Sequence, residues 1–295
     1  MIRRKFDLID LGYRWKRSFG FNPFMKYEGG MSKLCCAECD LIYYDPAIYG
    51  ESALYETLSK FPWYYEEEKW EFDEAIRYII RFKPNSLLEI GCGSGVFLEK
   101  IQYLVNRVEG VDINKDALEI CKKKGLNVFL PSEQDGKLYD MVVLFEVLEH
   151  LDRPASMISS LVDMLNDNGV LIVAVPNPDG YLKASSAPVL LDMPPHHNTS
   201  WSVITFDFLA KQYALEKIGY ATEPLRYIHY ISYLLDVMTS FSSVKKVTIS
   251  VRILKYLERM LLPLRAPYSF TKDQKQILGQ THLAVFRKAS SINSV

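Results

Sequence analysis

Three groups of residues in this chain have types and spacings suited to chemistry. The first is Glu89-Ile90-Gly91-Cys92-Gly93-Ser94-Gly95. Glycines at 91, 93 and 95 let the backbone come close to a ligand, and a helix beginning there offers unpaired N–H groups. The ligand this suggests is nucleotide-like and lies across the carboxyl ends of parallel strands. A dinucleotide fingerprint needs a glycine where Val96 stands, and the Glu89 carboxylate at the strand end would repel a pyrophosphate. The same carboxylate can accept hydrogen bonds from a cationic amino-acid moiety, so an NAD oxidoreductase is disfavoured. Asp112 follows about twenty residues after the glycines, where a carboxylate accepts hydrogen bonds from both hydroxyls of an adenosine ribose.

The second group is Glu149-His150, in Glu146-Val147-Leu148-Glu149-His150-Leu151-Asp152-Arg153-Pro154. Histidine has the right pKa class to take a proton from a hydroxyl, and Glu149 could orient it or help hold a cation. The third is Pro194-Pro195-His196-His197, within a loop that runs on to Trp201-Ser202. Two adjacent histidines could ligate a metal, or one of them could be a base or hydrogen-bond partner for an acceptor. No neighbouring acid pair has metal spacing, so substrate contact is the preferred reading and no metal is assigned. Adjacent side chains on an extended loop point opposite ways, which predicts that one of the pair faces the cleft. Cys35-Cys36-Ala37-Glu38-Cys39 is half of a zinc ribbon, but the second pair is missing. These cysteines are read as buried or idle thiols, with a metal held only if a distant fourth ligand joins them.

The elements that position these residues alternate. Residues 87–90 form a short apolar run bounded by Pro84-Asn85 and the glycines, a buried strand entering a tight turn. Val96, Phe97, Leu98, Ile101 and Leu104 recur at helical spacing. Strands are expected at 108–112, 127–130, 139–145 and 170–175, with helices from 115 to 124 and from 154 to 165. A helix over 206–218 closed by Gly219, a sixth strand over 221–230 and a final strand over 279–288 complete the pattern. Another helix, through Trp70, Ile76 and Ile79-Ile80, ends before Pro84, and the region from 49 carries Tyr55, Trp63, Tyr64 and Tyr65 among many acids. The fold class is α/β with a parallel Rossmann-like sheet.

The glycine turn, with its preceding acid, resembles the first motif of the class I S-adenosylmethionine (SAM)-dependent methyltransferases. The segment from Val147 to Pro154 closely resembles one in the subgroup that includes ubiquinone-biosynthesis O-methyltransferases and sugar methyltransferases, and the Pro194–Ser202 loop is similar too. The cysteine hairpin resembles the end of the N-terminal ribbon of some sugar C-methyltransferases, with residues 21–24 standing where the first cysteine pair would be. The resemblance implies a seven-stranded sheet whose last strand is antiparallel. It implies SAM as cofactor, bound by Glu89, Gly91, Cys92, Gly93, Gly95, Asp112, the adjacent Ile113, Ser132 (or Glu133) and Phe145. Glu149, His150, His196 and His197 become the catalytic candidates. The acceptor is a small molecule, with a sugar, nucleotide-linked or within a glycan, ahead of a quinone-like or lipid phenol. A non-catalytic SAM-fold scaffold is the alternative from another class, and it would predict erosion of the cofactor motif.

Composition sets the bounds. The 295 residues hold one large domain or a domain with an appendage: residues 1–69 read as a degenerate ribbon and lid, and 70–295 as the methyltransferase domain with a helical insertion about 231–267. Hydrophobic and charged fractions of 48% and 24% suit a globular protein, and a net charge of -1 argues against a nucleic-acid partner. No apolar run reaches the roughly 18 residues of a membrane span. Ile253, Leu254, Leu257, Leu261 and Leu264 share one face of a basic amphipathic helix, which fits peripheral membrane contact or, preferably, half-burial in the fold. The basic residues among the first seventeen read as a solvated helix face. Five cysteines without a framework spacing suit a reducing cytosol, so a cytoplasmic setting is expected.

Overall fold

The computed structural model describes residues 1–58, 60–61, 68–134, 136–184, 189–227, 229–231, 233–234, 270–274 and 276–290. The aromatic cluster at 63–65, the amphipathic helix at 253–264 and the tail from 291 lie outside the described residues.

The chain opens with a strand, β1 (Ile2–Asp7), which places half of the basic start on a strand rather than a helix. Helix α1 (Leu8–Phe19) follows, with Asp7 capping it by accepting from the Ile9 and Asp10 amides. Strands β2 (Gly30–Cys35) and β3 (Ile42–Asp45) form the cysteine hairpin, and α2 (Ser52–Leu58) and α3 (Trp70–Phe82) lead to the main sheet. There β4 (Ser86–Ile90), α4 (Val96–Ile101), β5 (Arg107–Val111), α5 (Lys115–Lys123), β6 (Val128–Phe129), β7 (Tyr139–Phe145), α6 (Pro154–Asp163) and β8 (Leu165–Pro176) alternate as the sequence predicts. The short β9 (Thr199–Ser200), α7 (Val203–Gln212), β10 (Leu215–Pro224) and β11 (Leu278–Lys288) complete the described elements.

The seven-stranded sheet has the order β10-β11-β8-β7-β4-β5-β6. Strands β4 to β8 pair in parallel, whereas β11 is antiparallel to both β8 and β10. Apolar residues of the central strands alternate between two cores. Leu88, Val142, Leu144, Leu171 and Val173 pack under α6 and α7, and Leu87, Met141, Val143, Ile172 and Ala174 pack under α3 and α4. Burial on both faces is why these strands read as unbroken apolar runs. After β4 the chain builds outward through β5 and β6, then returns to place β7 on the other side of β4. The loops after β4 and β7 therefore diverge at a topological switch point, where doubly wound sheets bind ligands.

Two expected elements differ. The helix expected over 206–218 is α7, which starts earlier on a Ser202–Thr205 capping box and ends at Gln212. Ala214 takes a left-handed φ of 50°, and the chain enters β10 by pairing with β11, so sheet pairing overrides the helical spacing of Leu215 and Ile218. The strand expected over 221–230 is the second half of β10 and stops at Pro224, beyond which the chain turns helical.

The smaller sheet has the order β1-β2-β3-β9. Its last strand belongs to the histidine loop, with Tyr43 paired to Thr199 and Ile42 to Ser200. Beneath it Leu8, Leu11, Trp15, Tyr44, Leu54 and Leu58 share a core with Met193 from that loop. The N-terminal segment is thus built into the wall that carries His196 and His197.

Candidate active site

Gly91, Gly93 and Gly95 all have positive φ (76°, 51° and 80°), which side-chain-bearing residues rarely adopt. A Cβ on Gly91 would lie 2.6 Å from Cγ2 of Val147, so the turn after β4 closes against the loop after β7. Glu89, the next-to-last residue of β4, is 3% exposed, and its Oε2 lacks a hydrogen-bond partner among the described residues. Burial pushes its pKa up to about 8. Asp112 accepts from the Gly93 amide at 2.7 Å and from the Asn114 amide at 2.8 Å, one to each carboxylate oxygen. It braces the glycine turn, and each oxygen retains capacity for a further hydrogen bond, as a ribose diol would supply. Ile113 beside it is 84% exposed, and Ser132 is also exposed. Glu133 is spent on the turn itself, accepting from the Leu130 amide at 2.7 Å. The side chains of two expected cofactor residues are packed in the core. Cys92 joins Leu98, Leu118 and Cys121, and Phe145 is wedged between Phe72 and Phe97 at 5.1 and 4.9 Å.

Acids crowd the space beyond the turn. Glu149 is fully buried, with its carboxyl against that of Glu146. Burial raises it to about 8. Glu146 has a buried Oε1 without a partner, and burial with repulsion from Glu149 raises its pKa well above the usual range. It sits at φ 55°, a left-handed conformation uncommon outside glycine, where the chain leaves β7. Glu71, at the start of α3, is 4% exposed, and Lys69 lies 4.0 Å from it and is the cation that eases the burial of Glu89, Glu146 and Glu149. A cleft so rich in buried carboxyl groups favours a cationic ligand.

The three candidate histidines form one cluster. Ring centroids of His150 lie 4.8 Å from those of both His196 and His197, which stack on each other at 4.3 Å. The premise that these adjacent side chains point opposite ways does not hold, since the two rings stack on each other. Residues 193–197 form a turn rather than an extended strand, in which the amides of His196 and His197 both donate to the Met193 carbonyl, at 3.1 and 3.2 Å. His150 Nδ1 donates to the His196 carbonyl at 2.7 Å, and the Asn198 amide donates to the Glu149 carbonyl at 2.7 Å, which locks this loop to the segment after β7. Nε2 of His150 lies 3.7 Å from Glu149 Oε1, and Nε2 of His197 lies 3.9 Å from the same atom. Burial lowers the His150 pKa to about 4 and holds His196 and His197 well below the ordinary value, which favours the neutral rings.

Glu71, Lys69, Tyr55 and Asp192 were not singled out from the sequence, and Glu146 only as part of its motif. Tyr55 stands over the cluster, its ring 6.1 Å from His150 and 6.2 Å from His196. Asp192 Oδ1 lies 3.6 Å from His197 Nδ1. Glu146 and Asp192 belong to the motif segments themselves, so full use of those motifs would have found them. Tyr55 belongs to the aromatic lid segment noted in the sequence, from which no site residue was assigned, whereas Lys69 and Glu71, at the start of α3, carry no local signal.

The profile of a methyltransferase-domain family matches residues 64–232. The ubiquinone biosynthesis O-methyltransferase, mitochondrial, of Schizosaccharomyces pombe is 30% identical over 105 residues, 32% of this chain and 38% of that protein. The ubiquinone biosynthesis O-methyltransferase of Glaesserella parasuis is 31% identical over 106 residues, 31% of this chain and 45% of that protein. This chain therefore spans less than half the length of these two relatives. Among solved structures, a SAM-dependent methyltransferase from Archaeoglobus fulgidus is 20% identical with a TM-score of 0.49, covering 74% of this chain and 92% of that one. No helix among the described residues is long and apolar enough to cross a membrane.

Proposed function

This chain belongs to the methyltransferase-domain family, and on that premise we propose that it transfers a methyl group from SAM to a hydroxyl oxygen of a small acceptor. The observation that carries the reading is Glu89, a buried carboxylate with an orphan oxygen beside a positive-φ glycine turn at the sheet's switch point. These residues fit SAM. Glu89 would hold its ammonium group, Asp112 its ribose hydroxyls, and the Gly91–Gly95 turn leaves room for its close approach. When bound, SAM supplies a methyl group on a sulfonium, open to in-line displacement.

The chain's residues supply the rest. His150 faces the acceptor end with Nδ1 tied to the His196 carbonyl, so the neutral ring presents Nε2 as proton acceptor. Glu149, once ionised, lies 3.7 Å from that nitrogen and stabilises the imidazolium that proton uptake creates. Alignment in a cleft walled by buried side chains supplies the larger share of the acceleration.

The relatives' printed names favour a phenolic acceptor of the kind met in ubiquinone biosynthesis, and Tyr55 over the histidines offers an aromatic wall for one. A sugar hydroxyl is the second reading, favoured by the cysteine hairpin that braces the histidine loop through β9, as the resemblance to sugar methyltransferases implies. The test is release of S-adenosylhomocysteine with a panel of phenols and sugars. Turnover with one class assigns the acceptor, and SAM binding without turnover on either would favour the scaffold alternative.

A further inference from the structure

Three of the five cysteines have fixed places in the fold. Cys92 and Cys121 are buried in the core at 5% and 0% exposed, and burial raises both thiols above the ordinary value. Cys35 is buried as well, its thiol donating to Asp40 Oδ1 at 3.1 Å while Arg3 Nη2 donates to its Sγ at 3.4 Å. Cys36 and Cys39, expected to be buried or idle, are instead partly exposed where β2 turns into β3. They join no group of potential metal ligands among the described residues, and two thiolates are half of a structural zinc set.

Two observations make these thiols a pair. The first is the turn. The Asp40 amide donates to the Cys36 carbonyl at 3.1 Å and the Cys36 amide to the Leu41 carbonyl at 2.9 Å, with Asp40 at a left-handed φ of 60°. A chain reversal this tight brings residues three apart to within about 7 Å between Cα atoms, close to the span that a disulfide bridges. The second is how the two sulfurs are partnered. The Cys39 amide, the Glu38 amide and the Cys39 thiol all donate to Cys36 Sγ, which lowers the Cys36 pKa against smaller opposing pushes from burial and the Glu38 carboxylate. Cys39 is shifted the other way, first by burial. Arg3 and Asp40, the other charges at this turn, are engaged with each other and with Cys35. One sulfur is thus poised as a thiolate and its neighbour as a proton-bearing thiol.

We propose that Cys36 and Cys39 form a redox site that a hydroperoxide oxidises to an intramolecular disulfide, with Cys36 as the nucleophile and Cys39 as the resolving thiol. The Cys36 thiolate attacks one peroxide oxygen, forming an S–O bond as the O–O bond breaks and the alkoxide leaves to take a proton from solvent. The Cys39 sulfur then attacks the resulting sulfenic acid. An S–S bond forms as the S–O bond breaks, and the Cys39 proton leaves with hydroxide as water. Two thiols and one hydroperoxide give one disulfide, one alcohol and one water, a two-electron balance that a dithiol reverses by exchange. The proposal does not rest on the methyl-transfer reading. Strand β3, which leaves this turn, pairs with β9, so the site lies on the hairpin that braces the histidine loop.

The test uses the full chain, reduced, freed of reductant and treated with a slight excess of hydrogen peroxide. The expected product has lost two hydrogens by intact mass, carries its new bond between Cys36 and Cys39 in peptide maps, and returns to the dithiol with dithiothreitol. Cys39→Ser should stop at the Cys36 sulfenic acid, captured by dimedone, and Cys36→Ser should consume peroxide at least tenfold more slowly. Cys35→Ser should form the same bond as fast as the wild type. Should a variant misfold, the wild-type peptide map is decisive by itself. A bond to Cys35 or between chains, oxidation of Cys92 or Cys121 at an equal rate, or no disulfide at all would overturn the proposal. So would tightly bound zinc that shields both thiols until a chelator removes it.

Discussion

His150 donates its Nδ1 proton to the main-chain carbonyl of His196 at 2.7 Å, joining the segment after β7 to the loop before β9. One hydrogen bond thus sets the ring's tautomer and ties together two motifs 46 residues apart. Replacing His150 by Ala should lower kcat by about 10²-fold or more, the usual scale for a positioned proton acceptor. SAM affinity should stay within twofold if, as proposed, Glu89 and Asp112 hold the cofactor. Steady-state kinetics beside calorimetry separates the two, and unchanged kcat would remove His150 from the chemistry.

Glu89 gives the cofactor site a pH dependence. Burial raises its pKa to about 8, so at neutral pH the empty site is largely protonated. A cationic ligand prefers the anion, so SAM affinity should rise with pH up to about 8 and then level. Glu89→Gln should bind weakly at every pH and flatten the profile. The unfolded carboxyl has a pKa of about 4.3, below the folded value, so the native state binds more protons in between. Stability of the cofactor-free protein should therefore fall as pH rises from about 4.3 towards 8. Thermal melts across that range test the sign.

Gly95 sits at φ 80°, and a Cβ there would lie 2.5 Å from Leu126 Cδ1 and 2.9 Å from Cys121 Sγ. Gly95→Ala should cost about 1–3 kcal/mol of stability from backbone strain alone, with weakened SAM binding as the turn shifts. Chemical denaturation and calorimetry measure the two effects, and a variant as stable as wild type would contradict the tight packing of this turn.

Glu109 makes a contrasting case, because it supports the fold away from the cleft. It is 2% exposed, accepts from the Tyr139 hydroxyl at 2.7 Å and Asn127 Nδ2 at 2.8 Å, and pairs with Lys137 and Arg107 at 3.3 and 3.6 Å. Glu109→Ala should destabilise by about 3 kcal/mol, the scale for breaking a buried charge network. kcat at temperatures below the melt should be unchanged.

The main sheet was legible because the central stretches of β4, β7 and β8 are buried on both faces and so read as apolar runs. The α7–β10 boundary was not, because Leu215 and Ile218 continue a helical period that only pairing with β11 breaks. Around the first glycine turn, local spacing was enough to place Glu89, the glycines and Asp112 together at the ends of β4 and β5. The clustering of His196 with His197 was missed because it depends on a turn closed by the Met193 carbonyl, where an extended loop was assumed. Lys69, Glu71 and Tyr55 reach the cleft only through tertiary packing, as does the joining of the N-terminal hairpin to the histidine loop.

The most direct measurement is calorimetric titration of the purified chain with SAM, with NAD as control and Glu89→Ala and Asp112→Ala beside the wild type. The account predicts stoichiometric SAM binding with micromolar affinity, no response to NAD and at least a tenfold loss in each variant. Absence of SAM binding by the folded wild type, or binding indifferent to both substitutions, would contradict it.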